Sequence, residues 1–157
     1  MGKLIEKMKL LLTGLIFSLI LTGCSYNTDF FIFNKAEQTL LVEYQTKDFS
    51  DSKPFVTDPR IVEFDQNMDI IEIKKAYEFE FEGDTKTIRC KLLKGQALWI
   101  GRDLNFTLTN EKEAKILNEN LKYLKIHSTK KQIYATDSDI IGLFKTFNTQ
   151  TVGIEIK

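Results

Sequence analysis

Few residues in this chain are suited to chemistry. His127 is its only histidine, and Cys24 and Cys90 are its only cysteines. A Ser-His-Asp or Cys-His mechanism would have to be built on His127, and no Gly-x-Ser-x-Gly turn accompanies it. One imidazole and one spare thiol do not make a zinc site. Asp65-Gln66-Asn67-Met68-Asp69 places oxygens at alternate positions, as an EF-hand loop opens. Ile70 and Ala76, however, stand where that loop needs glycine and glutamate, so the stretch reads as a polar turn. Glu78, Glu80 and Glu82, with Asp84, offer paired carboxylates, the groups that hydrolyse glycosides. They alternate strictly with Tyr77, Phe79 and Phe81, as the wet face of a half-buried strand must. On the same reasoning His127 is a histidine at a strand end near a turn, and Cys90 is a small buried hydrophobe. Trp99 and the aromatics at 30 to 33 are core. No catalytic residue, metal site or cofactor is expected.

The 22 basic and 22 acidic residues balance, which leaves no basic stripe for nucleic acid. Their placement is more telling. Lys3, Lys7 and Lys9 precede Leu10–Leu21, a run broken only by Thr13, Gly14 and Ser18. Twelve helical residues span about 18 Å, against roughly 30 Å of bilayer hydrocarbon. A short apolar run with a basic head suits a signal peptide better than a membrane-spanning helix. The run ends Leu21-Thr22-Gly23-Cys24: an aliphatic residue, two small residues that let extended backbone enter a peptidase cleft, and a thiol. This stretch resembles the lipobox of bacterial prolipoproteins, and the resemblance covers residues 1–24 alone. It implies cleavage between Gly23 and Cys24, lipidation of the Cys24 thiol, and anchorage by two or three acyl chains, which hold where one would be marginal. In the sorting rule of Gram-negative lipoproteins, Asp after the cysteine favours the inner membrane. Ser25 does not, so the resemblance implies the outer membrane, facing the periplasm, if the cell has two. Cys90 is then left without an intramolecular partner, and the fold must be held by its apolar core.

The elements that follow are mostly strands. Residues 24–29 read as a lipidated polar tether and 30–157 as one β-rich domain, a size suited to a single core. Phe30–Phe33 is a compact apolar run, followed by a turn over Asn34–Gln38. Leu40, Val42 and Tyr44 alternate with Leu41, Glu43 and Gln45. Lys47–Arg60 holds both prolines and reads as the longest loop, the first place to look for a contact surface. Gly83-Asp84 suits a two-residue type II′ turn, which would set Phe79 opposite Ile88, Tyr77 opposite Cys90 and Glu78 opposite Arg89. Further strands are expected at Ile61–Phe64, Ile70–Ile73, Ala97–Ile100 and Leu104–Leu108, the last with Leu104, Phe106 and Leu108 on one face. Asn110 and Glu113 form a capping-box pair, predicting a helix from Glu111 to about Asn118 and a strand over Leu121–Ser128. Gln132–Ala135 follows as a strand. Asp137 or Ser138 caps a second short helix through Phe147, and Val152–Ile156 closes the domain.

The expected fold is therefore mainly β: a β-sandwich or open barrel of about 8–10 short antiparallel strands with one or two short helices. The expected role is a membrane-anchored cell-envelope lipoprotein whose domain binds a ligand or an envelope protein partner without catalysis. Two other readings stay open. One is an envelope-polymer hydrolase using paired carboxylates. The other is a periplasmic enzyme inhibitor presenting the 47–60 loop.

Overall fold

Four consecutive large apolar residues, Phe30-Phe31-Ile32-Phe33, exceed what a strand with one wet face can bury, since successive side chains point to opposite sides. The computed structural model describes residues 25–47, 54–73 and 79–157, and there both faces of this segment are covered. It forms the middle of β1 (Asn27–Asn34). Phe30 and Ile32 enter the main core, while Phe31 and Phe33 enter a second cluster on the other side.

Two sheets make the framework. The first contains β1, β3 (Phe55–Phe64), β4 (Ile70–Ile73), β7 (Gln96–Leu104), β10 (Lys145–Asn148) and β11 (Thr151–Ile156), in the order β10-β11-β1-β7-β3-β4. The second contains β2 (Leu40–Thr46), β5 (Glu80–Glu82), β6 (Thr87–Leu92), β8 (Leu121–His127) and β9 (Gln132–Thr136), in the order β5-β6-β2-β8-β9. The fold is mainly β, as the alternation requires. The main core lies between the sheets: Ile32, Leu98 and Ile154 from one meet Val42, Ile88 and Leu124 from the other. The single α-helix among the described residues, α1 (Glu111–Asn120), adds the fully buried Leu117.

The six-stranded sheet curls around Phe33. In a flat sheet, strands two places apart are about 9–10 Å from each other. Phe64 on β3 and Phe147 on β10 lie two strands to either side of β1. Yet their rings sit 5.0 and 5.1 Å from that of Phe33, both edge to face. Edge-to-face contacts at such distances reward the ring quadrupoles as well as burial. Gly153 on β11 leaves the room: a Cβ there would lie 2.5 Å from the Phe31 carbonyl oxygen and 3.0 Å from the Phe33 ring. Met68 closes the cluster from the β3–β4 turn, in the left-handed conformation at φ 69°.

The two sheets, with eleven strands among the described residues, are consistent with the expected β-sandwich or open barrel, and one pair, β1–β11, is parallel, with Asp29 opposite Thr151 through Asn34 opposite Ile156. Several finer expectations need correcting. β1 begins at Asn27 and Thr28 is fully buried, so the strand reaches into the stretch read as tether. Residues 55–60 belong to β3, with Phe55 in the core and Pro54 and Pro59 buried. The strand tolerates Pro59 because its register against β7 jumps from Phe55 opposite Gly101 to Arg60 opposite Trp99. Proline without an N–H is accommodated in such a bulge. Gly101 is required opposite it, since a Cβ would fall 1.9 Å from the Pro54 carbonyl oxygen, which accepts from Arg102 N at 2.9 Å.

The hairpin turn holds four residues, Gly83–Lys86, with Lys86 at φ 56°. Its register puts Phe81 opposite Ile88 and Glu80 opposite Arg89. The shift from the expected pairing is two residues, so inward and outward faces are kept. Tyr77 and Glu78 lie outside the described residues. β7 is continuous to Leu104, and Asn105 at φ 56° ends it. Leu104 is therefore exposed while Phe106 is buried, instead of sharing a face. The second helix is replaced by 3-10 turns at Asp137–Asp139 and Ile141–Leu143 and then β10. The reason lies in Gly142 and the β-branched Ile140, Ile141 and Thr146, all poor helix formers.

The first helix begins where its capping residues stand. Asn110 Oδ1 accepts from Lys112 N at 3.1 Å, and Asn110 Nδ2 donates to Glu113 Oε1 at 2.8 Å. The reciprocal arm reaches upstream instead of to the cap: Thr107 N donates to Glu113 Oε2 at 2.6 Å.

If Phe33 is the hub of the curl, Phe33→Ala will cost about 3–5 kcal/mol in chemical denaturation. Truncating the exposed Ile71 (66% exposed) to alanine will cost less than about 0.5 kcal/mol.

Candidate functional site

The outer face of the five-stranded sheet carries a row of residues that crosses all five strands. The alternation of β2 turns Leu40, Val42 and Tyr44 inward and therefore Glu43 outward. Pairing then sets Glu80 opposite Arg89, Arg89 opposite Glu43, Glu43 opposite Lys125, and Lys125 opposite Tyr134. Opposite charges thus face each other across β5, β6, β2 and β8, which is favourable in a sheet.

Glu43 is the hub of the row. Arg89 Nε donates to its Oε2 at 2.6 Å, while Lys125 Nζ and the Tyr123 hydroxyl donate to its Oε1 at 2.9 and 2.8 Å. Lys125 also lies 4.7 Å from the centre of the Tyr123 ring and 5.7 Å from that of Tyr134. Partial burial pushes the Glu43 carboxyl upward, but the hydrogen bonds from Lys125, Arg89 and Tyr123 outweigh it and hold its pKa at about 2. The hydrogen bond to Glu43 raises the pKa of Lys125 and, with its charge, that of Arg89.

Beside this row a groove of about 720 Å³ opens, lined by Leu41, Glu43, Glu80, Arg89, Lys91 and Leu93, with Cys90 and Ile61 deeper. Leu41 and Leu93 are 46% and 55% exposed, so the groove pairs apolar flanks with fixed charges of both signs. A carboxyl held near 2 stays ionised at neutral pH and has no proton to give a leaving group. Burial pushes the Cys90 thiol up to about 12, which keeps it protonated and a poor nucleophile.

On the curled sheet a second polar knot forms around Asp29. It accepts from Trp99 Nε1 at 2.8 Å and from Arg102 Nε and Nη2 at 2.7 and 2.9 Å. Arg60 lies over the Trp99 ring at 5.3 Å. Trp99 is thus half-buried against the second cluster, with its one polar atom satisfied, rather than sealed in the core.

The residues singled out from the sequence do not converge. Gly23 and Cys24 lie outside the described residues. His127 ends β8, exposed, opposite Leu41 and Gln132. Glu80, Glu82 and Asp84 are exposed, and Arg89 lies 3.6 Å from Glu82, so these carboxylates belong to a solvated edge. Phe81, 50% exposed, lies on the same edge strand, β5. Asp65 Oδ1 accepts from Asn67 N and Asp69 N at 2.8 and 3.0 Å and so closes its own turn. Of the expected 47–60 loop, residues 48–53 lie outside the described residues and 55–60 are strand.

Glu43 was missed because its partners sit on separate strands, at positions 89, 123 and 125. Alternation of β2 was the available signal, and it told the face but not the neighbours. Neither a protein-family model, nor a curated protein, nor a solved structure matches the chain.

The depressed Glu43 pKa gives a pH dependence with a definite sign. Its contribution is fully present above the unfolded value of 4.5 and is lost as pH falls from there towards about 2. Glu43→Gln should therefore destabilise the domain by about 1 kcal/mol at pH 7, as expected for a partly exposed network. In urea denaturation, the difference from the unsubstituted protein should shrink steadily below pH 4.5.

Proposed function

We propose that the chain is the precursor of a bacterial lipoprotein, tethered to a membrane through Cys24, whose β domain works by binding within the cell envelope. The observation that carries this reading is the order of a basic head, an apolar run too short to span a bilayer, and Leu21-Thr22-Gly23-Cys24. Three features of the domain support it. Cys90 is free and buried, so it does not compete with Cys24 for acyl transfer or disulfide exchange. The groove beside Glu43 offers fixed charges of both signs between apolar flanks. Its mixed lining suits a protein segment of the envelope better than a uniformly charged polymer. With Ser25 after the lipidated cysteine, the outer membrane facing the periplasm is the address in a cell with two membranes.

Expression of the full precursor in a bacterial host tests the reading. Mass spectrometry of the purified protein should show a chain starting at Cys24 with diacylglyceryl and acyl mass on that residue. Cys24→Ser should keep the leader and lose the lipid. An intact starting methionine with an unmodified thiol at position 24 would overturn the proposal.

A further inference from the structure

We infer that the phospholipid surface anchoring Cys24 is also the surface on which the domain rests, through the end of the curled sheet that carries Tyr26, Leu104 and Asn105. This rests on the lipoprotein reading above and adds an orientation and a contact to it.

The chain is locked to the domain almost immediately after the anchor. Tyr26 N donates to Asn105 Oδ1 at 2.9 Å, and the Tyr26 carbonyl accepts from Asn105 N at 2.8 Å. The Tyr26 hydroxyl donates to the Phe106 carbonyl at 3.4 Å, and Asn27 is already paired with Leu104. The left-handed turn at Asn105 is what brings both its backbone and its side chain to Tyr26. Ser25 is the single residue between Cys24 and this clamp.

Two residue steps reach at most about 7 Å. The headgroup layer of one leaflet is about 5–7 Å deep, half the difference between the full bilayer and its hydrocarbon. With the acyl chains in the hydrocarbon, even the few ångströms that the thioether side chain adds keep Tyr26 within a few ångströms of the outer rim of that layer. That slack is too small for the domain to stand clear of the lipid by more than a few ångströms. The end of the sheet held there suits the position. Leu104 is 62% exposed, and Tyr26 is half-buried with a polar tip, the kind of residue enriched at membrane–water boundaries. Arg102 and Asp103, which precede Leu104 on β7, carry both signs, so the contact does not depend on anionic lipid. β7 then points away from the membrane, which puts Lys94, in the turn before it, roughly 30 Å from Leu104 by the rise of a nine-residue strand.

The test uses the lipidated protein purified from a bacterial host after its acyl mass has been verified. Leu104→Cys and, separately, Lys94→Cys are labelled with a thiol-reactive fluorophore. Cys90 is buried and its thiol is protonated, so the label goes to the introduced residue. Each protein is reconstituted into phosphatidylcholine vesicles bearing nitroxide on their headgroups, after unchanged far-UV circular dichroism and melting show that it is folded. Quenching at 104 should exceed that at 94 severalfold. A Gly-Ser insert of about 30 residues after Ser25, with an r.m.s. span of roughly 30 Å, should abolish the difference. Equal, weak quenching at both positions in protein that carries the lipid would overturn the inference and leave the lipoprotein reading standing. Absence of the acyl mass would remove that reading, and the inference with it.

Discussion

The burial of β1 on both faces is the constraint on which the rest of the fold depends. A single strand with Phe30 and Ile32 on one side and Phe31 and Phe33 on the other needs two covers. The five-stranded sheet supplies one. The other comes from the six-stranded sheet itself, which curls until Phe64 and Phe147 meet on Phe33 from opposite directions. Gly153 is the local concession that makes the curl possible, because any side chain there would strike the Phe31 backbone. The parallel pairing of β11 with β1 belongs to the same arrangement, since it places that glycine opposite Phe31.

Polar groups near β1 are bound as tightly as the apolar ones. Asn34 is fully buried, and its Nδ2 donates to the carbonyls of Gln38 and Leu92 at 2.8 and 2.9 Å, joining the first loop to the end of β6. Thr28 Oγ1 donates to the Phe106 carbonyl at 3.3 Å. Buried polar side chains that find such partners cost little and fix the ends of strands in place. The outer face of the second sheet is different. There Glu43, Arg89 and Lys125 are partly exposed, and their mutual attraction is moderated by solvent, so the row contributes more to cross-strand register and to a fixed pattern of charge than to stability.

The two sheets differ in their outer features: the curled sheet ends at the Tyr26–Asn105 clamp, and the five-stranded sheet carries the charged row and its groove. Two groups are muted by their surroundings: the Cys90 thiol by burial, and the Glu43 carboxylate by three donors.

Local pattern alone determined much of this protein. Alternation located β2, β4, β6, β9 and β11, and Asn110 with Glu113 placed the start of α1, because such signals depend only on neighbours along the chain. The basic head, apolar run and Leu21-Thr22-Gly23-Cys24 are likewise complete within themselves. Tertiary structure decided what depends on residues far apart. Pro59 reads as loop until the bulge opposite Gly101 absorbs it, and the hairpin register slips by two residues while every face is preserved. The Glu43 cluster joins positions 43, 89, 123 and 125, and no spacing along one strand encodes which strands become neighbours. That choice is made by the packing of whole sheets, where the energy of a curled, doubly buried β1 outweighs the preference of any single segment.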